Sequence, residues 1–87
     1  MKFKEKLACR EIAGETYIVD ISAETLHSLN GTGTHIWNCL RKGLDPAAAA
    51  ASLAREFDVA PAEASADVEE FASKLAAKGL LKIKDGL

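Results

Sequence analysis

The residues best suited to chemistry are two cysteines and two histidines. His35 and Cys39 lie four positions apart in a segment of helical period, so their side chains share a face. With Cys9 and His27 they make up a Cys2His2 set of the type that zinc accepts. The spacing matches no familiar zinc module, and the four residues are read instead as packed thiols and part-exposed imidazoles. His27 alternates with Thr25 and Leu29, which marks it as a half-buried histidine with a hydrogen-bond partner. A proton shuttle would need a neighbouring acid and a substrate pocket, and the sequence places neither beside it. Gly31-Thr32-Gly33 is too short for a dinucleotide fingerprint and reads as a helix start. The sequence has no Gly-rich phosphate loop, nucleophile elbow, Cys-x-x-Cys or His-Glu-x-x-His. No catalytic, cofactor-binding or metal residue is assigned, and the chain is read as a protein that is not an enzyme.

The elements that must position any site fall into two halves, divided near Asn30. Leu7–Ile12 and Thr16–Ile21 are rich in β-branched and apolar residues and read as strands. Ala13-Gly14-Glu15 joins them, with Gly14 available for a positive φ. Alternation along the second strand puts Tyr17, Val19 and Ile21 on one apolar face. Thr16, Ile18 and Asp20 take the other, which is only half polar. Ser22-Ala23 reads as a turn, and Thr25–Leu29 as a third, shorter strand. Short connections make the three an antiparallel meander.

After Asn30, a good N-cap, the period changes. Gly33, Ile36, Trp37 and Leu40 form an apolar helical stripe. Arg41 and Lys42 complement the dipole in the last turn, and Gly43 is a stop. Asp45-Pro46 opens a second helix as cap and first residue. Ala49, Ala50, Leu53, Ala54 and Phe57 share its apolar face. Pro61 opens a third helix, in which Ala64, Val68, Phe71, Ala72 and Leu75 align. Glu70 and Lys74 form an i,i+4 pair on its flank. Gly79 ends this helix, and Leu80–Ile83 is expected to add a short strand or pack as an apolar tail. The order predicts an α+β, winged-helix-like fold, with an N-terminal three-stranded antiparallel sheet followed by three helices.

Eleven basic and thirteen acidic residues give a net charge of −2 over 87 residues. That length suits a single domain spanning 1–87. With 48% hydrophobic residues and only 6% aromatic ones, the chain is globular, with a core that must be mostly aliphatic. No run approaches a membrane span, no signal peptide is read, and two cysteines make no disulfide framework. Cytoplasmic residence with reduced thiols is the expectation.

Two binding readings compete with a purely structural or dimerisation role. The second and third helices resemble a helix-turn-helix, as in a winged-helix DNA-binding regulator. Glu63, Asp67, Glu69 and Glu70 would set the entering helix against phosphates, so nucleic acid is not the expected partner. The alternative is peptide capture. The third strand lies at a sheet edge, where unpaired backbone groups accept an added strand. Leu26 and Ser28 point away from the Leu29 face and are placed to meet a guest. The same edge also invites a homodimer.

The stretch Leu29-Asn30-Gly31-Thr32-Gly33-Thr34-His35-Ile36-Trp37 resembles the Leu-Asn-x-Thr-Gly-x-x-Ile-Trp core of a known family. Phe57-Asp58-Val59, Asp67-Val68, Phe71, Leu75 and Lys78-Gly79-Leu80-Leu81 are similar to its C-terminal half. The family is the pyrroloquinoline quinone (PQQ) biosynthesis protein D, or PqqD-like, family. The likeness runs from about Leu7 to Ile83. It implies a non-catalytic peptide chaperone, a recognition element for ribosomally made and post-translationally modified peptides. Such a protein binds the leader of a precursor peptide as an added strand. It presents that leader to a radical S-adenosylmethionine enzyme or to a leader peptidase. Carried over by position, the pairing strand is Thr25, Leu26, His27, Ser28 and Leu29. The helix wall is drawn from Asp67, Glu70, Phe71, Lys74 and Lys78. No cofactor and no membrane partner is expected.

Overall fold

Residues 2–82 are described by a computed structural model. Strands β1 (Lys2–Phe3), β2 (Leu7–Ile12), β3 (Glu15–Asp20) and β4 (Thr25–Leu29) precede helices α1 (Gly31–Arg41), α2 (Pro46–Phe57) and α3 (Pro61–Ala77). A last short strand, β5, covers Leu81–Lys82. The sheet β2-β3-β4 is an antiparallel meander, and the three helices follow it, as the pattern predicts.

β3 runs Glu15–Asp20, one residue earlier than the expected Thr16–Ile21. The cause is the turn. Ile12 pairs with Glu15, so Ala13 and Gly14 alone make the loop, at φ 54° and 82°. A two-residue hairpin of this kind needs positive φ at both positions, and Ala13 occupies one of them without glycine's freedom.

Of the two faces of β3, the structure buries the mixed one: Thr16, Ile18 and Asp20 lie inside, while Val19 and Ile21 are exposed. The buried polar groups are partnered, which offsets their loss of water. Thr16 donates its hydroxyl to Thr34 Oγ1 at 2.9 Å, and Thr34 donates to the Leu29 carbonyl at 3.4 Å. This relay ties β3, α1 and β4 together. Asp20 accepts from Lys4 Nζ at 2.7 Å and from the Ala23 amide at 3.2 Å.

The helices begin and end where the caps dictate. Asn30 Oδ1 accepts from the Gly33 amide at 2.8 Å, and Asp45 Oδ1 accepts from the Ala48 amide at 2.8 Å. Ala60 gives α3 no side-chain cap. Ala49 and Ala64 are fully buried with Ile36, Leu40, Leu53 and Val68 in one part of the core. Trp37, Ile18, Ala72, Leu75, Leu80 and Leu81 fill the other part, and Phe71 packs against both. Phe57, expected on the buried stripe of α2, is 42% exposed. It lies at the helix end, where its ring meets His35 edge-on at 5.4 Å.

The sequence pattern misses β1, which pairs antiparallel with β5. The expected tail strand is realised at Leu81–Lys82, and Ile83 lies outside the described residues. Phe3 anchors the ribbon by meeting Trp37 edge-on at 5.1 Å. The Arg41 guanidinium sits 5.1 Å from the Phe3 ring and 5.3 Å from the Trp37 ring.

Candidate functional site

The position of β4 at the end of the β2-β3-β4 order leaves one of its sides without a strand among the described residues. Which backbone groups face that side follows from the hairpin. In a two-residue hairpin the closing pair, here Ile12 and Glu15, exchanges both its hydrogen bonds. Strand alternation then sends the amides and carbonyls of Tyr17 and Val19 toward β2 as well. The Ile21 amide keeps this phase just beyond the strand, donating to the Lys6 carbonyl at 3.1 Å. Thr16, Ile18 and Asp20 therefore face β4 and pair with Leu29, His27 and Thr25. The amides and carbonyls of Leu26 and Ser28 turn outward to the open side.

α3 stands across from that side. Between them lies an open groove of about 400 Å³. Of the ten residues assigned from sequence, Ser28, Leu29, Asp67, Glu70, Phe71, Lys74 and Lys78 line it. Thr25, Leu26 and His27 continue the same strand but are not part of this lining. Leu26 is 66% exposed, and His27 is half-buried with Nε2 3.1 Å from Thr25 Oγ1. Sequence reasoning missed Asn30, Thr32, Gly33, Ile36 and Leu75, which also line the groove. Gly33 carried a legible signal, since glycine inside a helical stripe marks a place where something approaches closely.

The floor is apolar, built from Phe71, Ile36 and Leu75, and the α3 wall is charged. Glu70 and Lys74 approach to 3.8 Å while both stay about two-thirds exposed. Among the described residues, Asp67 and Lys78 have no ion-pair partner. Such a groove can hold an extended chain through its backbone while sorting alternate side chains.

The thiols and imidazoles do not converge. Cys9 is exposed, Cys39 is buried, and His35 Nε2 lies 2.9 Å from Ser52 Oγ. Among the described residues no group of three or more His, Cys, Asp or Glu is placed to hold a metal ion. Partial desolvation raises the Cys9 thiol above its usual value, against a smaller opposing pull from Arg41. Tyr17 is raised by its hydrogen bond to Glu15. Asp20 is held below the usual carboxylate range chiefly by the Lys4 hydrogen bond, with desolvation opposing. None of these three residues lines the groove. Among the described residues, no helix is long and apolar enough to cross a membrane.

An antiparallel meander with three helices behind it defines a winged-helix-like protein whose groove lies between its edge strand and last helix. The family described as "Coenzyme PQQ synthesis protein D (PqqD)" matches residues 15–81, and the chain belongs to that family. Among solved structures, it is similar to TbiB1 in complex with the TbiA(beta) leader peptide. The two are 25% identical, with a TM-score of 0.87, over 100% of this chain and 98% of that one. No curated protein matches the sequence.

Proposed function

We propose that this chain binds the leader of a ribosomally made precursor peptide as an added strand on β4, against α3. It then presents that leader to a modifying enzyme, a radical S-adenosylmethionine enzyme or a leader peptidase. The role needs no catalytic group from this chain. It is exercised in the cytoplasm, where precursors are made.

One observation carries the reading: the backbone groups of Leu26 and Ser28 face an open side beside a charge-rimmed groove with an apolar floor. Membership of the PqqD family and the likeness to a leader-bound protein support it. On this reading, Thr25–Leu29 supplies the ladder, and Asp67, Glu70, Phe71, Lys74 and Lys78 supply the wall. The acidic, exposed Glu63, Glu69 and Glu70 on α3 weigh against duplex nucleic acid at the same helix.

The test uses a synthetic peptide spanning the leader of a short precursor, found by screening the reading frames that neighbour this gene. Titration is followed by amide NMR and calorimetry. Shifts are expected to concentrate at Leu26, Ser28 and the groove face of α3. Proline removes one outward donor and is tolerated on the solvent side of an edge strand. Leu26→Pro and Ser28→Pro should each weaken binding roughly fivefold, the equivalent of one ordinary hydrogen bond. Unchanged affinity in both variants, with the circular dichroism of the fold intact, would overturn strand addition.

A further inference from the structure

We infer that the guest strand carries a set charge order, a basic residue, then an apolar residue two positions on, then an acidic residue two further on. This rests on the strand-addition reading and specifies the chemistry of its ligand.

The α3 wall changes sign along its length. Asp67 and Glu70 stand about its middle, and Lys74 and Lys78 toward its C-terminal end. At 1.5 Å per residue, the acidic and basic pairs are centred about 11 Å apart, and their outer members about 16 Å apart. Four steps of an extended strand cover about 13 Å. Guest residues at i and i+4 thus reach the two ends of the wall. Strand alternation also puts i, i+2 and i+4 on one face. The middle residue then meets the apolar floor of Phe71, Leu75 and Ile36.

The direction follows from how β4 lies beside α3. At its end, the Cβ of Leu29 lies 3.4 Å, and Phe71 Cε1 3.3 Å, from the place where a Cβ on Gly33 would stand. Two residues earlier, His27 pairs with Ile18, which clusters with Leu75 and Leu80. β4 therefore runs opposite to α3. A guest continuing the antiparallel meander enters at Asp67 and Glu70 and leaves at Lys74 and Lys78. Its basic residue comes first. The exposed Glu70–Lys74 contact, at 3.8 Å, is weak enough to yield to the guest's charges.

Two synthetic peptides of one composition test this. One has Lys-Thr-Leu-Thr-Glu at the centre of a Ser/Thr flank, and the other has Glu-Thr-Leu-Thr-Lys there. Amide NMR titration at low salt reads both, weak binding included. The first should bind about three- to tenfold more tightly, the range two exposed ion pairs allow. The preference should shrink at high salt. In the double variant Asp67→Lys with Lys78→Glu, which leaves one acid and one base at each end of the wall, the preference should vanish. Equal shifts of the Leu26 and Ser28 amides by both peptides would overturn the charge order and leave strand addition standing. No shift with either peptide would also overturn it. If the precursor's own leader left those amides unmoved as well, the strand-addition reading would fall with it.

Discussion

Phe71 and Gly33 meet in the lining of the groove, with Phe71 Cε1 only 3.3 Å from where a Cβ on Gly33 would stand. The same Cβ would come within 3.2 Å of Asn30 Oδ1, the oxygen that caps α1. Gly33→Ala must move the half-buried Phe71 ring or disturb the cap. Alanine's helix preference, about 1 kcal/mol over glycine, offsets the crowding. The melting temperature should change little. Leader affinity should fall roughly tenfold, or about 1.4 kcal/mol, because the displaced ring intrudes on the space a guest side chain uses. Calorimetry beside a thermal melt checks both. Wild-type affinity in this variant would mean that the ring does not shape the groove.

The Lys4–Asp20 pair sets an acid sensitivity. Asp20 is 1% exposed, and its carboxyl is held low first by the Lys4 hydrogen bond, against the opposing effect of desolvation. A carboxyl whose folded pKa is depressed contributes stability above its unfolded value, about 3.9. That contribution is lost as pH falls through the unfolded value toward the folded one. Wild-type melting temperature should therefore drop on acidification below about pH 5. Lys4→Met should melt lower at neutral pH and show a shallower acid decline. Parallel curves for the two proteins, measured by calorimetry from neutral to acid pH, would rule out Lys4 as the cause.

Ala13 holds φ 54° in the β2–β3 turn, ahead of Gly14. Left-handed backbone costs an alanine about 1 kcal/mol, and asparagine tolerates it better. Ala13→Asn should raise the melting temperature by about 4 °C, toward the lower end of what that energy gives in a domain of this size. No rise would mean that the turn relaxes around alanine without strain.

Much of the frame was legible in the sequence because its signals are local. Asn30, Asp45 and Pro46 act through neighbours within one turn, and they start α1 and α2 where expected. β4 is legible at its observed bounds because Thr25–Leu29 is short and closed by a cap residue. The buried face of β3 was harder to read. Thr16 and Asp20 are paid for by Thr34 and Lys4, and sequence spacing does not announce such distant partners. β1 was invisible for the same reason, since two residues pair only because β5 returns beside them. In the candidate groove, the wall on α3 could be drawn from family position. Asn30 and Thr32 read as a helix start and Gly33 as part of the α1 stripe, and their place in the groove depends on how α1 meets Phe71.

Trp37 is the chain's single tryptophan, 3% exposed, wedged against Phe3 and Arg41 and absent from the groove lining. The protein thus carries one tryptophan fluorophore, stationed at the clasp between its two end strands. Its emission colour is expected to report on the packing of that clasp, where Phe3 and Arg41 lie against the indole.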